Sequence, residues 1–196
     1  MSRISWGKPR IFVKDKDTNN SQWYELYTPV ENSTQLSVTK GEKLEATIEG
    51  GGAEDIKYKR GTFSFSCNIR KGKSPGSSNA RKLPFPTIDG YVNNQYSLLL
   101  QPEDPTCEGY YIEYGTVSVD ESYSSSDGGM WLIQIDAIKP SYGDTVKWGI
   151  VKTTESGDTH NIEFKEGSSY DSGESAGGVD VSSATFNPVG SSEVSS

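Results

Sequence analysis

The chain has 196 residues, of which 32% are hydrophobic, with 21 Gly, 11 Tyr, 4 Trp and a formal net charge of −8. That length suits one domain, with or without tails, and can bury a core without metal or disulfide support. The mix of Gly, aromatic and polar residues argues against a helical bundle, and no apolar run, Leu98–Leu100 included, is long enough to cross a membrane as a helix.

The segment Met1–Pro9 has no apolar stretch of the kind a secretory signal carries, so synthesis and retention in a cytoplasm are expected. On that expectation the sequons at Asn19 and Asn32 stay unmodified. Alternating apolar and polar residues then predict strands over Arg10–Lys14 and Trp23–Tyr27. Between them, Asp15-Lys-Asp-Thr-Asn19 opens like a calcium loop. The sixth position holds Asn20 where Gly is needed and the twelfth holds Leu26 where Glu is needed, so no metal is expected there.

The next strands are predicted over Lys43–Glu49 and Tyr58–Arg70, with Gly50–Gly52 as the loop before the second. A short helix is allowed near Gly52–Tyr58 or Ile88–Gln95 and nowhere else. Along Tyr58–Arg70, Phe63, Phe65, Cys67 and Ile69 share one face, which predicts that all four sit in the core. Lys71–Ser78 resembles a phosphate-cradling loop in composition but lacks the spacing of one.

Further strands are predicted over Tyr96–Leu100, Tyr110–Val119 and Met130–Lys139, with weaker patterns over Val146–Lys152 and Asn161–Lys165. Asp127-Gly-Gly129 is a hairpin signal. Met130–Ile138 carries apolar residues on both faces at first, which predicts a strand in the middle of a sandwich with Trp131 in the core. Cys67 and Cys107 are expected as free thiols in a reducing compartment. Residues 1–166 read as one β domain. Residues 167–196, with ten Ser, five Gly and no Lys or Arg, read as a flexible tail. Its one apolar interruption, Ala184–Val189, either anchors on a neighbour or hangs free.

Chemistry is sparse. The only histidine, His160, lies in a polar stretch and reads as a surface residue. The Gly-x-Ser-x-Gly spacing occurs at Gly72–Gly76 and Gly173–Gly177, but both lie in polar Gly/Ser-rich stretches that open no helical pattern, so no nucleophile elbow, cofactor or catalytic activity is expected. Charge is distributed unevenly instead. Residues 56–88 hold eight of the 19 basic residues and no acid, leaving 11 basic against 27 acidic elsewhere, a balance of −16. One reading is nucleic-acid binding with Tyr58, Phe63 and Phe85 as stacking platforms. The acidic balance and the need for Phe63 in the core oppose it. A second reading is a solvated loop. The third, self-association, explains both halves of the asymmetry: Lys71, Lys73, Arg81 and Lys82 on one copy would meet acid on the next.

The block Tyr27-Thr-Pro-Val-Glu-Asn-Ser-Thr-Gln-Leu36 followed by Thr39–Gly51 resembles bacteriophage tail tube (major tail) proteins. So do Leu100–Pro105, Val117–Asp120, Asp127-Gly-Gly-Met-Trp131, Ala137–Pro140 and Val146–Gly149, in that order along the chain. The resemblance implies a mainly β fold, a β-sandwich or partial barrel with at most one short flanking helix. It implies a structural virion protein whose rings, typically hexamers, stack into a tube that conducts DNA and contacts other tail proteins, with no membrane partner. A tube protein of a contractile injection system is similar. A non-catalytic β-sandwich that binds carbohydrate or a cell surface is the alternative from another class. In a tube, carbohydrate aside, electrostatics predict a bore lined by Asp, Glu, Ser and Thr, with Lys71–Lys82 at a subunit or ring contact.

Overall fold

The computed structural model describes residues 7–19, 21–47, 49, 53–72, 81–86, 91–156, 159–167 and 184–188. Twelve strands form: β1 Arg10–Asp15, β2 Tyr24–Glu25, β3 Gln35–Thr39, β4 Lys43–Thr47, β5 Ala53–Tyr58, β6 Thr62–Arg70, β7 Tyr91–Gln101, β8 Gly109–Ser124, β9 Gly128–Ile138, β10 Val146–Ser156, β11 Thr159–Glu166 and β12 Ala184–Pro188. No helix occurs among the described residues. The fold is mainly β, as the alternation predicts.

Ten strands make one sheet in the order β10-β11-β12-β2-β1-β7-β8-β9-β6-β3, and β10 also pairs with β8. That extra pairing closes β10, β11, β12, β2, β1, β7 and β8 into a ring. Strand β8 is the branch point. Its first residues pair with β10, Gly149 opposite Gly109 through Val146 opposite Ile112, and from Tyr114 onward it pairs with β9. The register of β8 against β7 shifts between these halves, the signature of a bulge. The bulge reverses which alternate residues face inward: Tyr110 and Ile112 before it, Val117 and Val119 after it, reach the same core.

Two cores result, on opposite faces of β1 and β7. Phe12, Leu99 and Tyr111 stand in register across three strands and pack with Trp23, Val151, Ile162 and Phe164 inside the ring. Their neighbours Ile11, Val13, Leu98 and Leu100 face the other way, against Phe65, Cys67, Ile69, Ile133 and Ile135 of β6 and β9. Because both faces of Ile11–Val13 and Tyr96–Gln101 are covered, those runs read as continuous apolar stretches with few polar breaks. The buried Gln101, Ser97 and Lys147 are paired, whereas Trp23 Nε1 is buried without a partner. Gln101 Nε2 donates to Val151 O at 3.0 Å, Ser97 Oγ to Glu113 O at 2.7 Å, and Lys147 Nζ meets Glu113 at 3.3 Å. The Phe, Leu and Ile side chains each contribute about 1.5–3 kcal/mol by leaving water.

Several expectations need correction. Tyr58–Arg70 is two strands, broken at Lys59–Gly61. Residues 53–58 of the first helical window form β5 and residues 91–95 of the second belong to β7, while Gly52 and residues 88–90 lie outside the described residues. Strand β9 is internal to the sheet, yet one face is open, with Leu132 and Ile138 each 37% exposed. Phe65, Cys67 and Ile69 are fully buried; Phe63 and Trp131 are only half-buried and pack against the edge of the core. Residues 184–188, counted with the tail, form β12, antiparallel to β11 and parallel to β2. Apart from Gly167, the rest of the tail lies outside the described residues.

Candidate assembly surfaces

The basic segment begins where β6 ends. Arg70 meets Asp127 at 3.5 Å and donates Nη1 to Asp127 O at 2.9 Å. Lys71 pairs with Glu121 and lies 5.6 Å from the Trp131 ring, whose Nε1 donates to the same carboxylate at 3.2 Å. The hydrogen bond from Lys71 and that from Trp131 hold the Glu121 carboxyl below its ordinary pKa. Arg81 lies over the Tyr27 ring at 4.9 Å and donates Nη1 to Arg70 O at 2.9 Å. Lys82 is exposed, and Lys73 lies outside the described residues. Of the sequence-predicted contact residues, Lys71 is thus committed within its own chain, while Arg81 and Lys82 remain at the surface.

Strands β4 and β5 form a separate two-stranded sheet. They continue the β3–β6 ladder: Thr39 faces Thr62 and Lys43 faces Tyr58, so four residues pass on each strand without a slip. The crossing between the two ladders is tight. A Cβ on Gly41 would overlap the Lys59 carbonyl, and one on Gly61 would lie 2.6 Å from Thr39 O. Lys59 N donates to Glu42 O at 2.8 Å across this pinch. Beyond it the hairpin is an arm, exposed at every described side chain, with Leu44 at 43%, Ile56 at 48% and Tyr58 at 62%. Neither strand packs substantially against any other.

The third surface is the open face of β3, β6, β9 and β8. Cross-strand rows place Ser37, Ser64, Asp136 and Thr116 side by side, then Gln35, Ser66, Gln134 and Ser118, then Asn68, Leu132 and Asp120. Gln134 Nε2 donates to Asp136 at 3.0 Å. Arg70, at one end opposite Met130, is the single cation in these rows. Lys71 and Trp131 belong to the opposite face, since Trp131 is the partner of the core residue Ile69 and Lys71 lies two residues after it. Strand β3 leaves its outer edge unpaired, with Val38 56% exposed.

Several charged groups among the described residues are engaged locally. The Asp15 carboxylate is taken up by its own turn. Burial pushes it up, but hydrogen bonds from Asn94, Thr18 and the backbone N–H groups of Asp17 and Thr18 outweigh that and leave it below its ordinary pKa. No cluster of metal-ligating side chains occurs among the described residues. A cleft of about 740 Å³ at the ring's mouth holds Arg10, bound at 2.7 and 2.9 Å to both oxygens of Glu25 and at 3.1 Å to Thr153. Cys67 and Cys107 are both free, and burial pushes the Cys67 thiol up to about 12.

The arm and the polar face escaped the sequence reading. The face had a signal, since Thr62, Ser64, Ser66 and Asn68 alternate with the core residues of β6. The arm had a weaker one, two glycines at the strand breaks. No protein-family model matches the chain, and no curated protein matches its sequence.

Proposed function

We propose that the protein is a structural, non-catalytic subunit that assembles with copies of itself into stacked rings, forming a tube of the phage tail tube type that conducts DNA. The observation that carries the reading is the open face of β3, β6, β9 and β8. It is four strands wide and built mainly from Ser, Thr, Asn, Gln and Asp, with Leu132 among them, and its rows meet a cation, Arg70, only at the rim. A wall with Lys or Arg would bind phosphates and release counterions, creating traps for a sliding duplex. A wall of hydroxyls and scattered carboxylates repels weakly and at short range, over about 8 Å at physiological salt. Lys71 on the far side of the sheet is consistent with that division. The unpaired edge of β3 offers a strand to a neighbour. In this reading the virion tail is the location, and other tail proteins are further partners.

Electron microscopy of the purified chain tests it. Rings or tubes with a central channel are expected, and a monodisperse monomer across salt conditions and high concentrations would overturn it. In assembled material, Gln134→Cys should react with a small maleimide and resist one too large for the bore. A second reading, a binding module for carbohydrate, draws on Tyr91, Tyr123 and Tyr142, exposed at 73%, 82% and 90%. Such rings stack on sugar faces, and binding on a glycan array without assembly would favour it.

A further inference from the structure

The arm is graded in charge. Its outer half carries Glu45, Glu49, Glu54 and Asp55 and no lysine or arginine, while Lys43, nearer the pinch and opposite Tyr58, is paired with Glu45 at 2.6 Å. Its base carries Lys40, Lys57, Lys59 and Arg60, with Glu42 tied to Lys59. Along the arm the apolar side chains of Leu44, Ile56 and Tyr58 lie open to solvent. A lone two-stranded ladder is marginal in water, and its exposed apolar residues gain only by covering. The described strands β4 and β5 run five and six residues beyond the pinch, or roughly 17–20 Å of strand.

We infer that the acidic outer half of this arm docks on the basic edge formed by Arg70, Arg81 and Lys82 of a second copy of the chain. The inference rests on the self-association proposed above and names its contact. Charge complementarity selects the partner, because residues 56–88 contain no acid and Arg81 and Lys82 are exposed. Tyr27 lies half-buried beneath the Arg81 guanidinium, so the edge also offers apolar surface to Ile56 and Leu44. Arm and edge are different patches, so the contact is head to tail and propagates into a ring or a filament.

Charge reversal tests the pair in the full-length chain. The double variant Glu54→Lys with Asp55→Lys should weaken association about tenfold or more at low salt by setting like charges together. Arg81→Glu with Lys82→Glu should do the same, and mixing the two variants should restore association. Lys82→Glu alone is the second edge variant, because Arg81→Glu also removes packing on Tyr27. Salt of about 0.5 M should shrink all the differences. Association is read by light scattering and folding by circular dichroism. If the parent assembles and the arm reversal leaves association unchanged, or the mixture is not restored, the docking is overturned while self-assembly stands. If the parent stays monomeric, both fall.

Discussion

Substituting Gly41 by Ala should disable the arm and leave the body intact. The added methyl group would overlap the Lys59 carbonyl and lie 2.6 Å from Arg60 O, all backbone atoms that cannot rotate away. The two chains must separate at the pinch, which breaks the Lys59 N–H to Glu42 O bond of 2.8 Å. Losing that bond costs about 1 kcal/mol and the overpacking about 1–3 kcal/mol, so the arm bears roughly 2–4 kcal/mol. A ladder with no packing partner has little reserve to absorb it. Hydrogen exchange followed by mass spectrometry should show faster exchange across residues 43–58, and light scattering should show weaker association. The thermal midpoint of the body should hold to within about 2 °C. Were the same cost borne by the whole domain, the midpoint would fall by roughly 4–16 °C, at about 2–4 °C per kcal/mol for a chain of this size. A fall of that size, or unchanged exchange in the arm, would refute the view of an independent arm.

Phe164→Ala removes a fully buried ring from the closed barrel and should destabilise the chain by about 3–5 kcal/mol, read as a lower urea midpoint at unchanged slope. At pH 8 an alkylating reagent should label the folded protein at Cys107 and spare Cys67, whose thiol burial pushes to about 12; labelling of both before unfolding would contradict that burial. Glu121 is held below its ordinary pKa by the hydrogen bonds from Lys71 and Trp131, so its contribution to stability is present above the unfolded value and is lost as pH falls through the folded one. Lys71→Met should move the Glu121 carboxyl back up in an NMR titration and flatten the acid side of the stability profile. Ser64→Lys with Gln134→Lys on the open sheet face should make assembled protein retain DNA at low salt and release it as salt rises, whereas the parent retains none.

The strands were legible because period-two alternation survives wherever one face is wet, as in Thr62–Arg70. It failed where the surroundings differ from that rule. Residues 53–58 have no buried face at all, so β5 left no alternation to read and a helix was allowed in its place. In Gly128–Ile138 the apolar residues on the second face suggested a covered strand, but Leu132 and Ile138 stay open. The bulge in β8 reversed the phase between Ile112 and Val117, something a single-phase pattern cannot express. For the candidate site, the sign of the charge at Lys71 was plain in the sequence, but its pairing with Glu121 depends on the β8–β9 hairpin meeting the end of β6. The polar face likewise exists only once four strands are in register.

The closure of the barrel by β12 also sets an order on folding. Asn187 lies opposite Tyr24 and Pro188 opposite Glu25, pairs joined by more than 160 residues of chain. Contacts so distant in sequence form late, because the entropy of closing the intervening loop must be met first. During synthesis, β2 emerges long before residues 184–188 and β11, which ends at Glu166, shortly before them, so both edges exist before β12 can lie between them. For that interval the nascent chain displays two raw strand edges beside an unfinished core, the arrangement most prone to pair with another chain. If the chain assembles as proposed, joining its copies has to wait at this seam, and β12 is the strand that ends the wait.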